Sequence, residues 1–316
     1  MRASGEEDAP VWRPHDVPGD VPQGDGDGWV TLPDGSRRWG RYGAAGLLLY
    51  AADAAGRGQV LLQHRAWWSH QGDTWGMPGG ALNSGESSVQ GAVREFGEEV
   101  EGDLGRVCLD GVHRQDHVVW HYDTVLGRLP EPGEFSPGNS ESAAIRWVPV
   151  EEVASLPLLP AFGVIWPQVR RALTRRPLLI VPATELVRLL PDGRAGDPRS
   201  PVERLRDGLA TLAAAGLSGA DLPPELDLVP LHRWFPTIAL VTGEGGPRLA
   251  PAPGVEVVAD VATLAERHAR SGWTPVPVTS DRGFAERCAG AAVAPPSWLL
   301  GLLGGPETDP RAGGAG

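Results

Sequence analysis

Cysteine, tyrosine and phenylalanine are scarce in this chain of 316 residues, with two, three and five copies. The two cysteines, Cys108 and Cys288, lie far apart, so neither a disulfide framework nor a zinc knuckle is available. No apolar run reaches membrane-spanning length. The N-terminus lacks the basic-then-apolar pattern of a secretion signal. These absences lead to the expectation of a cytoplasmic protein with no membrane partner. Positive charge is also short: 28 basic residues face 40 acidic ones, a net charge of −12. That balance argues against a nucleic-acid partner and against an anionic membrane surface. It leaves small phosphate substrates open, because a bound metal reverses the local sign. Glycine (43) and proline (31) are abundant, which predicts many loops and mobile ends. A hydrophobic content of 41% supports buried cores, and the length allows two domains. The twelve tryptophans have no physical account.

The most informative stretch is Gly80 to Gly102, GALNSGESSVQGAVREFGEEVEG. Read as a helix from Ser88 to Val100, it places Val89, Ala92, Val93, Phe96 and Val100 on one apolar stripe. Ser87 or Ser88 caps its start. Glu95, Glu98 and Glu99 fall together on another face. Like charges packed this closely repel, so something should offset them. Arg94, four residues before Glu98, can do part of this. A hard divalent cation shared with substrate phosphates is the stronger candidate. A solvated acidic helix face is the plain alternative. The turn-rich lead-in Trp75-Gly-Met-Pro-Gly-Gly80 weighs against it, since Gly79 and Gly80 let backbone approach a ligand.

Gly80, Glu86, Arg94, Glu95, Glu98 and Glu99, with Phe96 between them, resemble the signature of the Nudix hydrolases, Gly-x5-Glu-x7-Arg-Glu-U-x-Glu-Glu-x-Gly-U. Six specified positions coincide by chance about once in ten million starts at ordinary residue frequencies. The resemblance implies an αβα sandwich with a mixed sheet and metal-assisted attack of water on a diphosphate. It assigns the metal, Mg²⁺ with Mn²⁺ as the alternative, to Glu95, Glu98, Glu99 and the carbonyl of Gly80. Glu98 is implied to be the ligand nearest the attacking water and a candidate for its base. Arg94 would orient the glutamates, and Glu86 would pair with Arg94 or support the metals through water. One position departs: Glu101 stands where the family has glycine, and Gly102 comes one place late. The helix therefore either runs one residue longer or leaves by a reshaped exit.

The chain then reads as an α/β (α+β) protein in four parts. Residues 1–38 are expected as a mobile arm with one short strand near Trp29. Residues 39–175 carry the Nudix-like domain, with strands near 46–51, 59–65, 106–109, 117–129 and 141–149 and a helix at 162–173. Residues 176–304 alternate short strands and helices, which predicts a mostly parallel sheet. Residues 305–316 are a tail. Val278-Thr-Ser-Asp281-Arg-Gly-Phe284 resembles a motif of PIN/NYN-type nuclease domains. That family's first acidic position falls on Pro182 here, leaving Asp260 and Asp281, so a non-catalytic PIN-like domain is expected. Asp281 as a plain helix cap is an equal alternative.

The leading functional reading is a pyrophosphohydrolase acting on a nucleoside diphosphate linked to another group. ADP-ribose-like compounds and (d)NTPs, oxidised ones included, are both open. Trp67, Trp68, Trp120 and Tyr122 are candidate base stackers or core residues. His64, His117 and His121 read as packed histidines, and Glu141 as a possible further carboxylate near the metals. The alternative is a nucleotide-sensing regulatory protein with the C-terminal half as partner-binding or RNA-binding module. A homodimer is compatible with either reading.

Overall fold

The computed structural model describes residues 11–12, 24–69, 71–190, 199–268, 272–288 and 292–304. Most of the expected arm and the tail at 305–316 lie outside them. The chain forms two compact units. The first comprises Met1–Arg176, Gly216–Leu222 and Leu228–Pro236, and the second comprises Pro177–Ala215, Pro223–Asp227 and Thr237–Gly316. Two segments expected in the C-terminal half thus belong to the first unit.

The first unit begins with β1 (Val11–Trp12), β2 (Trp29–Thr31) and β3 (Arg37–Trp39). Next come β4 (Ala44–Ala52), β5 (Gly58–Arg65), β6 (Trp75–Gly76), β7 (Gly79–Ala81) and helix α1 (Ser88–Glu99). Then follow β8 (Val100–Glu101), β9 (Val107–Asp116), β10 (His121–Arg128), β11 (Ser136–Pro137), β12 (Ser142–Pro149) and helix α2 (Pro160–Thr174). The later segments add β14 (Leu217–Ser218) and β15 (Arg233–Trp234).

The main sheet runs β12-β5-β4-β10-β9-β15-β14, with β6 on β5, β7 on β4 and β1 on β9. The pair β4–β10 is parallel and its other pairings are antiparallel. The sheet is mixed, as expected. Alternation along β4 sends Ala45, Leu47, Leu49 and Ala51 into one core with Val89, Ala92, Val93 and Phe96 of α1. Leu48 and Tyr50 therefore face the other side. There Arg128 lies over the Tyr50 ring at 3.9 Å, and its guanidinium donates to Asp110 and to the Leu173 carbonyl of α2. One helix covers each face, giving an αβα sandwich.

Two details differ from the sequence expectations. The segment 106–129 is a hairpin, because Val118 takes a left-handed φ of 72° and turns the chain between β9 and β10. Residues 24–38, expected within the arm, carry the β2–β3 hairpin. They dock on the loop before α1, with the Ser84 amide donating to Asp25 at 2.9 Å and the Gly26 amide to Asn83 at 3.2 Å. Trp234 of β15 is fully buried, and its indole N–H donates to the Val229 carbonyl at 3.0 Å.

The second unit holds β13 (Arg176–Pro182, from Pro177 on), α3 (Ala183–Leu189), α4 (Pro201–Ala215), β16 (Thr237–Val241), β17 (Val255–Val258), α5 (Val261–His268), β18 (Trp273–Pro277), α6 (Arg282–Arg287) and α7 (Pro296–Leu303). Its sheet runs β17-β16-β13-β18. The pairs β13–β16 and β16–β17 are parallel. Leu178, Ile180, Ala239 and Val241 pack with Val261, Leu264 and Phe284 of α5 and α6, while α4 packs on β16 and β17. The expected parallel sheet is present.

Two substitutions test this packing with opposite signs. Phe96 is 2% exposed and meets Phe135 edge-on at 5.5 Å. Phe96→Ala should lower the unfolding free energy in urea by about 3–5 kcal/mol. Val118→Gly should raise it by about 0.5–1 kcal/mol, because a β-branched residue is strained at positive φ.

Candidate active site

Helix α1 starts at a reciprocal capping box. The Ser87 hydroxyl accepts from the Gln90 amide, and the Gln90 side chain accepts from the Ser87 amide. Ser87 is therefore the cap. Ser88 instead donates its hydroxyl to Asp123 of β10. Asp123 is fully buried and also accepts two bonds from Arg114, at 2.8 and 2.7 Å. This network fixes the start of the helix to the sheet. Sequence reasoning did not find it, because Ser88, Arg114 and Asp123 meet only through the strand register.

The helix ends at Glu99. Val100 and Glu101 leave as an extended segment paired with β11. The positive φ, 141°, falls on Gly102, where a Cβ would lie 2.5 Å from Phe135 and 2.6 Å from the Glu134 carbonyl. The displaced glycine thus serves a two-residue strand inserted after the helix. The exit is reshaped and the helix is not lengthened.

Arg94 gathers the carboxylates. Its Nε and Nη2 each donate at 2.9 Å to Glu86, a two-pronged pair. Nη2 also donates to the Ala81 carbonyl at 2.8 Å. Nη1 donates to Glu95 at 2.9 Å and to Glu98 at 3.2 Å. The Glu86 side chain is fully buried and accepts the Asn83 amide as well. Bonding to Glu86 raises the Arg94 pKa further above its already high value. Burial pushes the Glu95 carboxyl up, against the pull of Arg94. Glu99 accepts the Gly79 amide at 2.8 Å, yet burial raises its carboxyl to about 7. Glu98 stands apart, with 53% of its side chain exposed.

The lead-in lies where the sequence placed it. β7 pairs with β4, setting Gly80 opposite Ala45 and Gly79 opposite Gly46. A side chain at Gly80 would collide with the Glu95 carboxylate, and one at Gly79 with the backbone of Ala45 and Gly46. All six predicted positions therefore share one site. Arg65 and Glu141 also reach Glu99 electrostatically, the first lowering and the second raising its pKa. Tyr122 feels Glu99 and Glu95, and burial raises its phenol. A Cβ on Gly46 would run into the Tyr122 hydroxyl, so the missing side chain makes room for the ring.

The other candidates separate. Trp120 is core, with its indole N–H on the Gly40 carbonyl at 2.9 Å. Trp67 is 77% exposed and Trp68 54%. His64 stacks on Trp75 at 4.7 Å. His117 meets Trp120, and His121 lies 3.7 Å from Asp123. These three are packed histidines, as expected.

The donor set fits a hard divalent cation. Buried carboxylates whose pKa values are pushed up by desolvation, beside a glycine that leaves a gap at Glu95, suit oxygen-preferring Mg²⁺ or Mn²⁺. Among the described residues no three His, Cys, Asp or Glu side chains stand arranged as a ready metal cage. Arg94 is the physical reason at this site, since it bonds to Glu86, Glu95 and Glu98 together.

Replacing Arg94 with Met should cost about 3–5 kcal/mol of stability, because buried Glu86 loses its counter-charge. Adding Glu86→Gln should recover most of that loss in the same denaturation assay. Glu99 gives a pH test. Its folded pKa lies above the unfolded value, so the folded state binds the proton more tightly. Its charge therefore destabilises the fold increasingly as pH rises from about 4.5 to about 7. In EDTA, Glu99→Gln should raise Tm at pH 8, with the gain fading toward pH 4.5.

Residues 41–166 match the family model described as the NUDIX domain. A putative 8-oxo-dGTP diphosphatase 3 of Mycobacterium tuberculosis is 49% identical over 162 residues, covering 49% of this chain and 74% of that protein. A nucleoside triphosphate pyrophosphatase/Nudix hydrolase fusion protein of Bifidobacterium longum is 42% identical over 148 residues, covering 45% of this chain but only 30% of its own length. A solved Nudix hydrolase of M. smegmatis, RenU, is 44% identical, with a TM-score of 0.43, covering 46% of this chain and 93% of that one. With its signature residues assembled on one helix and loop, and a relative at this identity spanned over most of its length, the chain belongs to the Nudix hydrolase family, enzymes that hydrolyse pyrophosphate bonds.

Proposed function

We propose that the first unit hydrolyses a nucleoside triphosphate to a monophosphate and pyrophosphate, with an oxidised deoxynucleotide such as 8-oxo-dGTP as the leading substrate. The observation that carries the reading is the division of labour among Glu86 and the carboxylates of α1. Glu86, Glu95 and Glu99 are buried and bonded, while Glu98 alone is half-exposed. The substrate class is supported by the similarity to a protein named as an 8-oxo-dGTP diphosphatase.

Glu95, Glu98, Glu99 and the Gly80 carbonyl are the groups that would hold Mg²⁺ or Mn²⁺. Such an ion, when bound, neutralises diphosphate charge and lowers the pKa of water. Glu98 is the carboxylate placed to take the proton of the attacking water, because it alone faces solvent. Glu86 keeps Arg94 fixed, and Arg94 keeps Glu95 and Glu98 aimed at one spot. Asp123 positions the helix through Ser88. The exposed Trp67 and Trp68 are the aromatic groups free to stack a base, and Glu141 lends further negative charge near Glu99. For the second unit, the PIN/NYN-like, non-catalytic reading rests on strand order and on Val278 to Phe284. Asp281 caps α6 there, accepting from the Gly283 and Phe284 amides, and Pro182 ends β13 without a carboxylate.

A hydrolysis panel with Mg²⁺, read by chromatographic separation of the nucleotide products, tests the proposal. It should include (d)NTPs, 8-oxo-dGTP, ADP-ribose, dinucleotides and nucleotide sugars. Conversion of a triphosphate to its monophosphate and pyrophosphate, reduced at least about 100-fold in Glu98→Gln, is the expected result. Turnover of ADP-ribose alone would overturn the substrate class. No turnover of any compound would move the weight to a nucleotide-sensing role.

A further inference from the structure

The second unit contains a cavity of about 580 Å³, within the range that takes a small organic ligand. Its position follows from the topology. In chain order the sheet reads third, second, first, fourth, so the connection reverses direction between β13 and β18. In open parallel sheets the ligand crevice opens beyond the carboxyl ends of the strands at such a reversal. Pro182 at the end of β13, Ser280 beyond β18, Gly243 beyond β16 and Asp260 beyond β17 all line this cavity.

The charges around it are sorted along the sheet. At the reversal the carboxylates are already satisfied. Glu185 accepts the Thr279 hydroxyl and the Ser280 amide and hydroxyl. Asp281 accepts the Gly283 and Phe284 amides at 2.8 and 3.2 Å. What remains here is the exposed guanidinium of Arg188 and that of Arg287. Arg287 is steadied over the Phe284 ring at 5.5 Å and by a 3.2 Å bond to the Gly283 carbonyl. At the other end, beyond β16 and β17, Glu244 and Asp260 line the cavity as exposed carboxylates. The floor between is apolar, with Val241 and Phe284.

A ligand suited to this cavity carries an anion at one end and hydroxyl donors at the other. A simple anion would be repelled by Glu244 and Asp260. A metal would meet two free carboxylates beside two guanidiniums. Neighbouring strands lie about 5 Å apart, so Arg188, beyond β13, stands one to two strand spacings from the free carboxylates, and Arg287, beyond β18, two to three. A nucleotide, with its 5′-phosphate at one end and its ribose diol a few ångströms away, can reach from the Arg188 side to the carboxylates. An acidic residue just beyond the second strand is a known way to hold ribose hydroxyls, and Glu244 holds that position.

We propose that this cavity binds a ribonucleoside monophosphate, with its phosphate against Arg188 and Arg287 and its ribose hydroxyls against Glu244 and Asp260. This site is separate from the hydrolase site, and it stands or falls independently of the substrate proposed there.

The test is calorimetric titration of the full chain carrying Glu98→Gln, in EDTA, so that no nucleotide is hydrolysed. The probes are AMP, GMP, their 2′-deoxy forms, adenosine and inorganic phosphate. AMP or GMP should bind, and the Arg188→Gln/Arg287→Gln pair should weaken this at least about tenfold. Glu244→Gln/Asp260→Asn should weaken ribonucleotides by a similar factor, leave inorganic phosphate unweakened, and erase the preference over deoxynucleotides. Circular dichroism and hydrolysis by the same variants in the Glu98 background restored to wild type should be unchanged. No binding at millimolar ligand, or binding insensitive to both pairs, would overturn the proposal. Equal binding of ribo and deoxy forms would overturn the assignment of Glu244 and Asp260.

Discussion

The guanidinium of Arg94 is the constraint on which the hydrolase site depends. It bridges a loop carboxylate, a strand carbonyl and two helix carboxylates within 3.2 Å. Without it, the Glu86 carboxylate would be charged and sealed from water, a state that costs several kcal/mol. Three glutamates on one helical turn would also repel one another. Arginine suits the place because its rigid fork can serve several oxygens at fixed angles, which a lysine ammonium cannot. The chain has no lysine at all, so every permanent side-chain cation is a guanidinium.

The same arginine explains how the helix can be both stable and reactive. Burial raises the Glu95 and Glu99 carboxyls, because their negative charge is poorly solvated there. A divalent cation held there by Glu95 and Glu99 would exchange Coulomb repulsion for attraction, with Arg94 still paired to Glu86. Loop and helix are then one device. Gly80 yields space to Glu95, Gly79 supplies an amide to Glu99, and Asp123 holds the first turn through Ser88. Tyr122 fills the space left by Gly46 and so borders the charged group with an aromatic ring.

Most of this was legible in the sequence where chemistry and spacing coincide on one local stretch. Gly80, Glu86, Arg94, Glu95, Glu98 and Glu99 lie within twenty residues, and helical periodicity fixes their faces. The mixed sheet and the parallel sheet were legible from the alternation of short apolar runs with helical patterns. What stayed hidden depends on long-range register. Asp123 meets Ser88 and Arg114 only after β9 and β10 fold back at Val118, whose positive φ no propensity would assign to valine. The segments Gly216–Leu222 and Leu228–Pro236 carry no signal that they join a sheet formed a hundred residues earlier. The inserted strand after α1 was signalled only by the one-place shift of Gly102.

The central claim is that the α1 carboxylates, held by Arg94, form one cation-binding cluster. Titration of Mn²⁺ into the protein, followed by electron paramagnetic resonance, tests it most directly. The account predicts binding by the wild type that weakens by at least about tenfold in Glu95→Gln/Glu99→Gln, with the fold intact. Unchanged Mn²⁺ affinity in that variant would contradict it.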